Sequence, residues 1–254
     1  KNAIDFGKFN ISAKKNMVKV RQNPGVEATS KKVTPLENAL KKLRSAIEDG
    51  RLPPGIRLPE EKLARALDTP RARVREVLVR LANERLVVLQ VHRGAFVTRP
   101  TVEEARDICE ARLMVERTMA RFAAERTTEQ ELKKMRGLVE QERAAWDAGN
   151  VRLAATLSLD FHRAIADAVS NPVLEEILAN LLSRSALTQA VHAARCAAAC
   201  LCDDHTALLD AIEAGDADRT EALMVEHIQN LVSRLDLKPL SQDVDIEDAL
   251  RNKL

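Results

Sequence analysis

From position 34 onward, apolar residues recur at helical spacing. Thr34-Pro35 pairs a capping hydroxyl with a proline at the first helical position, and Leu36, Leu40, Leu43 and Ile47 follow up to Gly50. Leu52-Pro53-Pro54-Gly55 reads as a turn. A second, short helix is expected from about Pro59 to Leu67. A third follows from Pro70 to near Glu84, with Val74, Val77, Leu78 and Leu81 on its inner face. The period then shifts to that of a hairpin: LVVLQ, a turn at Val91-His92-Arg93-Gly94, and AFVTRP, with Gly94 supplying the permissive turn conformation. Three helices and a hairpin in this order predict a winged helix-turn-helix. Beyond Pro100 the pattern is helical throughout, with helices expected near 101–125, 128–148, 150–169, 171–197, 202–214 and 217–236. The separating turn signals are Thr127-Thr128, Gly149-Asn150, Asn171-Pro172, Asp203-Asp204 and Gly215-Asp216. The fold class is therefore mainly α: a winged helix-turn-helix at 34–100 and an all-α antiparallel bundle at 101–236. Residues 1–33 lack sustained periodicity and read as a flexible basic arm, and 237–254 as a tail.

Composition narrows the function. The chain of 254 residues is 45% apolar and 31% charged, a globular balance. It has five Phe, one Trp and no Tyr. That scarcity argues against aromatic-lined sugar clefts, single-strand nucleic-acid platforms and large β-sandwiches. No run of 18 uncharged apolar residues occurs, so no membrane span is expected. The opening KNAIDFGKFN lacks the apolar run of a secretory signal, which points to the cytoplasm. Net charge is +2 overall but unevenly placed: +6 over 1–33, +6 over 34–100 and −10 over 101–254. A basic first part joined to an acidic second part suggests a polyanion-binding module carried by a different kind of domain. Cys196, Cys200 and Cys202 match no common zinc spacing. They read as small buried thiols in an Ala-rich helix rather than as a metal or redox cluster, and with no secretory signal disulfides are not expected.

In a helix-turn-helix the second helix of the pair lies in the major groove. Here it carries Arg71, Arg73, Arg75 and Arg80. Arg71 and Arg75 stand one turn apart and can face one groove while the Val/Leu stripe faces inward. Arginine suits bidentate contact to guanine and also to phosphate, so double-stranded DNA is the expected partner.

RLPPGIRLPEEKLARALDTPRARVREVLVRLANERLVVLQVHRGAFV resembles the DNA-binding domain of the GntR transcriptional regulators. EARLMVE at 110–116, DFHRAIADAVSNPVL at 160–174, DDHTALLDAIEAGD at 203–216 and EALMVEH at 221–227 resemble the FCD effector domain of the FadR-like branch. The resemblance spans 34–236. It implies operator contacts from Arg71 and Arg75, with Arg73 as an extra candidate. It also implies a wing tip at Arg93 and Gly94 that approaches the minor groove. The family's Val-Ser before the first arginine is Thr69-Pro70 here, and Thr69 is expected to take over the helix cap.

His162, His205 and His227 sit on three different predicted helices. The resemblance implies that they are ligands of a divalent metal, zinc or nickel. The family's fourth ligand, an Asp one turn before the first histidine, is Ser158 here, and Asp160 is out of register. Three neutral nitrogens still make a sound site. By the same resemblance Arg112 holds a carboxylate of a small-molecule effector, with Ser158, Arg184 and His192 as further effector candidates. Arg112 and Glu116 also read simply as an i,i+4 pair. The implied function is a ligand-responsive regulator, a homodimer on a pseudo-palindromic operator and not an enzyme. Two rivals stand beside it: a metal-dependent hydrolytic enzyme using the open metal position, and a DNA-binding protein without effector.

Overall fold

The computed structural model describes residues 34–192, 199–233 and 235. The arm at 1–33, the tail at 237–254 and Cys196 lie outside the described residues. The element order is α1 (Pro35–Glu48), β1 (Arg57–Leu58), α2 (Glu60–Ala66), α3 (Arg71–Asn83), β2 (Val87–Gln90), β3 (Gly94–Val97), α4 (Val102–Arg126), α5 (Glu129–Asp147), α6 (Val151–Val169), α7 (Pro172–His192), α8 (Ala199–Glu213) and α9 (Ala217–Ser233).

Helix starts follow a shared local rule. Thr34, Thr101 and Thr128 each accept a backbone N–H from the glutamate three residues on, and that glutamate accepts the threonine's own N–H. These reciprocal bonds satisfy donors that helix geometry leaves open. α3 starts differently. Its cap residue is Pro70, with no side-chain bond. Thr69 does not take over that cap, because its hydroxyl donates to Leu67 O across the turn.

The winged-helix sheet has the order β1-β3-β2, antiparallel throughout, with Val87 opposite Val97 and Gln90 opposite Gly94. β1 was not expected; two residues are too few to show alternation. Gly94 has φ of 95° and His92 φ of 60°, so both hairpin-tip residues use the left-handed region. Val74, Val77, Leu78 and Leu81 are buried as their spacing requires, and they share a core with Leu43, Ile47, Leu58, Leu63 and Val97.

The second core gathers Met119, Phe161, Ile165, Leu182, Leu208 and Ile228 from α4, α6, α7, α8 and α9. A small third cluster holds Ala145, Ala154 and Leu157, with the half-buried Trp146 packed on it. Cys109 is a buried free thiol, and burial pushes its pKa up. Asp203-Asp204 is not a turn, since α8 runs through it from Ala199.

α7 joins the two parts. Leu187 belongs to the winged-helix core. Asn180 donates to Glu84 O at 3.2 Å. Glu48, the last residue of α1, accepts from Arg163 Nη2 at 3.0 Å and from the Ser183 hydroxyl. Among the described residues no helix is long and apolar enough to cross a membrane.

Candidate metal centre and DNA-reading face

α6, α8 and α9 bring His162, His205 and His227 together, each nearly inaccessible to solvent. His205 Nε2 lies 3.3 Å from His227 Nε2, which lies 3.2 Å from His162 Nε2. One ligand atom from each residue falls within 4.8 Å of the others. Phe161 packs its ring on His205, with centroids 4.7 Å apart.

Behind each ring stands a carboxylate. Glu142 on α5 lies 2.7 Å from His205 Nδ1, Asp204 on α8 3.3 Å from His227 Nδ1, and Glu116 on α4 2.5 Å from His162 Nδ1. An ionised carboxylate only accepts, so Glu142 and Asp204 favour a proton on Nδ1 of His205 and His227, which turns their Nε2 atoms inward as acceptors, while Glu116 lies against His162 Nδ1 without hydrogen-bond alignment. Three unprotonated Nε2 atoms facing one another would be satisfied together by a cation between them. Carboxylate, imidazole and metal in that order form a common outer-shell arrangement. The donor set therefore suits a divalent ion such as Zn²⁺.

Electrostatics agree. Burial opposes ionisation of Glu116, but the Arg112 guanidinium and His162 hold its pKa well below the usual carboxylate range. Burial lowers the pKa of His162 despite Glu116. Burial likewise lowers that of His227 to about 3, against the hydrogen bond to Asp204. In the unfolded chain both histidines take up a proton near pH ~6.5. The unfolded form thus binds more protons below that pH, and stability falls as pH drops from about 6.5 toward about 3. The lowered pKa of Glu116 adds a loss at the acid end of this window. Urea midpoints of the chelator-treated protein should fall steadily between pH ~7 and ~4.5; a flat profile would contradict the lowered pKa values of His162 and His227.

Arg112 is 1% exposed. Its Nε donates to Glu116 Oε1 at 2.6 Å and its Nη1 to Ser185 Oγ at 2.7 Å. It thus reaches the cluster through Glu116. Ser158 is half-buried on α6, one turn before His162, and Asp160 pairs with Arg163 at 2.8 Å. Arg184 and His192 belong with the winged helix. Arg184 lines a cleft beside it, and His192 Nε2 bonds Pro100 O at 2.8 Å.

Glu142 and Asp204 are site residues that sequence reasoning missed. A signal existed for Glu142: it continues the buried stripe Met135, Val139 along α5, where a solvated glutamate has no place.

On α3, Arg71 and Arg75 are exposed and point back toward α2. Arg71 Nη2 pairs with Glu61 at 3.0 Å, and Arg75 Nε with Glu60 at 2.7 Å. Arg73 is half-buried. Arg93 is exposed at the hairpin tip, with its guanidinium 5.6 Å from the centre of the Phe96 ring.

A winged helix-turn-helix followed by an all-helical domain defines a class, the two-domain bacterial transcriptional regulator. Residues 35–97 match "Bacterial regulatory proteins, gntR family", and residues 107–230 match the FCD domain. The chain belongs to the GntR family, in the branch that carries an FCD domain, and these families are regulators rather than enzymes. It is similar to the galactonate operon transcriptional repressor of Escherichia coli (strain K12). The two are 28% identical over 221 residues, covering 76% of this chain and 93% of that protein. The HTH-type transcriptional regulator LutR of Bacillus subtilis (strain 168) is 25% identical over 207 residues, covering 73% and 94%. The structure of E. coli McbR/YncC shares the fold, with a TM-score of 0.72 at 22% identity, covering 79% of this chain and 96% of that one.

Proposed function

We propose that this regulator binds a pseudo-palindromic operator as a homodimer and responds to a small organic acid held beside a divalent metal at His162, His205 and His227. The observation that carries this reading is the convergence of three histidine Nε2 atoms, each ring backed by a carboxylate. A divalent ion bound there supplies a concentrated positive charge that attracts an anionic ligand. The chain's own residues fix the tautomers, exclude water and keep the rings in place. Ser158 supplies no charge, so the effector's carboxylate is the natural anion beside the ion. The galactonate named for one relative is itself an organic acid, which supports that class. The implied location is cytoplasmic.

For DNA, Arg71 and Arg75 read base edges and Arg73 adds a backbone or base contact, while Arg93 and Gly94 bring the wing to the minor groove. Glu60 and Glu61 hold the two reading arginines extended before contact. Arg71→Ala and Arg75→Ala should each weaken specific operator binding by about 1–3 kcal/mol and leave the helix content unchanged. A gel-shift titration at fixed salt on a selected genomic operator measures this. Unchanged affinity in both variants would remove this docking mode.

A further inference from the structure

A second site lies away from the histidines, in a cleft of about 480 Å³ where the winged helix meets α4 and α7. That volume is in the range of small-molecule pockets, and such pockets favour the junctions between domains. Its lining mixes apolar side chains, including Val88 and Leu89, with a comparable polar surface, and it contains two arginines from different elements: Arg85 after α3 and Arg184 on α7.

Four observations bear on this lining. Neither guanidinium forms a hydrogen bond or ion pair with a described residue, as also holds for Arg57, Arg73 and Arg99 but not for Arg44, Arg71, Arg75, Arg80 and Arg163, so both are free to take an anion. Arg85 has a φ of 63°, directly after the α3 cap. That left-handed position normally goes to glycine, because a Cβ there crowds the neighbouring carbonyl oxygen. Thr98, also in the lining, keeps a buried hydroxyl oxygen with no partner. The one carboxylate in the lining, Glu104, is engaged by the Thr101 backbone N–H at 2.8 Å.

From these we infer that the cleft is a binding site for a small carboxylate with an apolar body. The carboxylate accepts from Arg85 and Arg184, and the apolar body rests on the exposed Val88 and Leu89. Such a ligand touches both parts of the chain at once and favours one arrangement of the winged helix over others. DNA phosphate is a poor occupant. Operator reading falls to the N-terminal end of α3, and Arg85 lies about 20 Å along the helix from Arg71.

The test is calorimetry of the full chain, chelator-treated, with benzoate as probe and inorganic phosphate as comparison. Benzoate should bind the unaltered protein more tightly than phosphate. Arg85→Gly and Arg184→Gln should each weaken benzoate about tenfold or more, the loss of one charge-assisted contact. Arg85→Gly relieves the left-handed strain, so its melting temperature should not fall, which separates lost binding from lost folding. His205→Ala, in the other site, should leave benzoate affinity unchanged. The inference is overturned if benzoate does not bind, if phosphate binds as well, or if neither arginine variant changes the affinity. Benzoate binding lost only in His205→Ala would overturn it too. So would reduced operator affinity in the arginine variants with benzoate binding intact, which would place both side chains on DNA.

Discussion

Zinc should raise the melting temperature of the chelator-treated protein, and His205→Ala should abolish that rise. An ion held at a thousand times its dissociation constant adds about 4 kcal/mol to the folded state, one of the largest single effects available to this chain. His205 is the best ligand to remove because it is fully buried and its ring stacks on Phe161. Native mass spectrometry should show one divalent ion per chain in the unaltered protein and none in the variant. Glu142→Gln keeps all three ligands and alters only the acceptor behind His205, so metal affinity should fall roughly 10–100-fold. Ser158→Asp should act in the opposite direction, since it adds an anionic ligand one turn before His162. An equal zinc response in the unaltered protein and His205→Ala would remove the metal from the proposed function.

The second large effect is expected at Arg112. Arg112→Met should destabilise the metal-free protein by about 3–5 kcal/mol, because it leaves Glu116 charged, buried and without its strongest partner. Urea unfolding with an unchanged slope measures the loss. Converting both partners, Arg112→Met with Glu116→Leu, should recover much of it, since an apolar pair of similar volume carries no desolvation cost. A loss below about 1 kcal/mol in the single variant would mean that the pair is not the anchor its burial implies.

What could be read from the sequence follows the range of the interaction. The α3 stripe was legible because Val74, Val77, Leu78 and Leu81 meet the core through a spacing of three and four. The hairpin was legible because Gly94 marks its tip. β1 was not, since it exists only through pairing with β3. The meeting of three histidines on α6, α8 and α9 is a long-range fact that no local period encodes, and family resemblance alone anticipated it. The carboxylates behind them were hidden for another reason. Charged residues on helices read as solvated, and Asp203-Asp204 read as a break. In the fold, Asp204 stays helical and its carboxylate faces His227 and Asn230. Ser158 drew attention as a missing ligand, while the negative charge of the site stands on the far side of the rings.

Trp146 gives the molecule an optical property of its own. With no tyrosine and a single tryptophan in the chain, near-ultraviolet emission originates from one indole, packed on Ala145, Ala154 and Leu157. That indole lies one turn beyond Glu142 on α5. Fluorescence is therefore a local gauge of the α5–α6 corner beside the histidines, whereas circular dichroism sums over every helix. The gap between the two melting curves measures how far that corner opens before the rest of the chain.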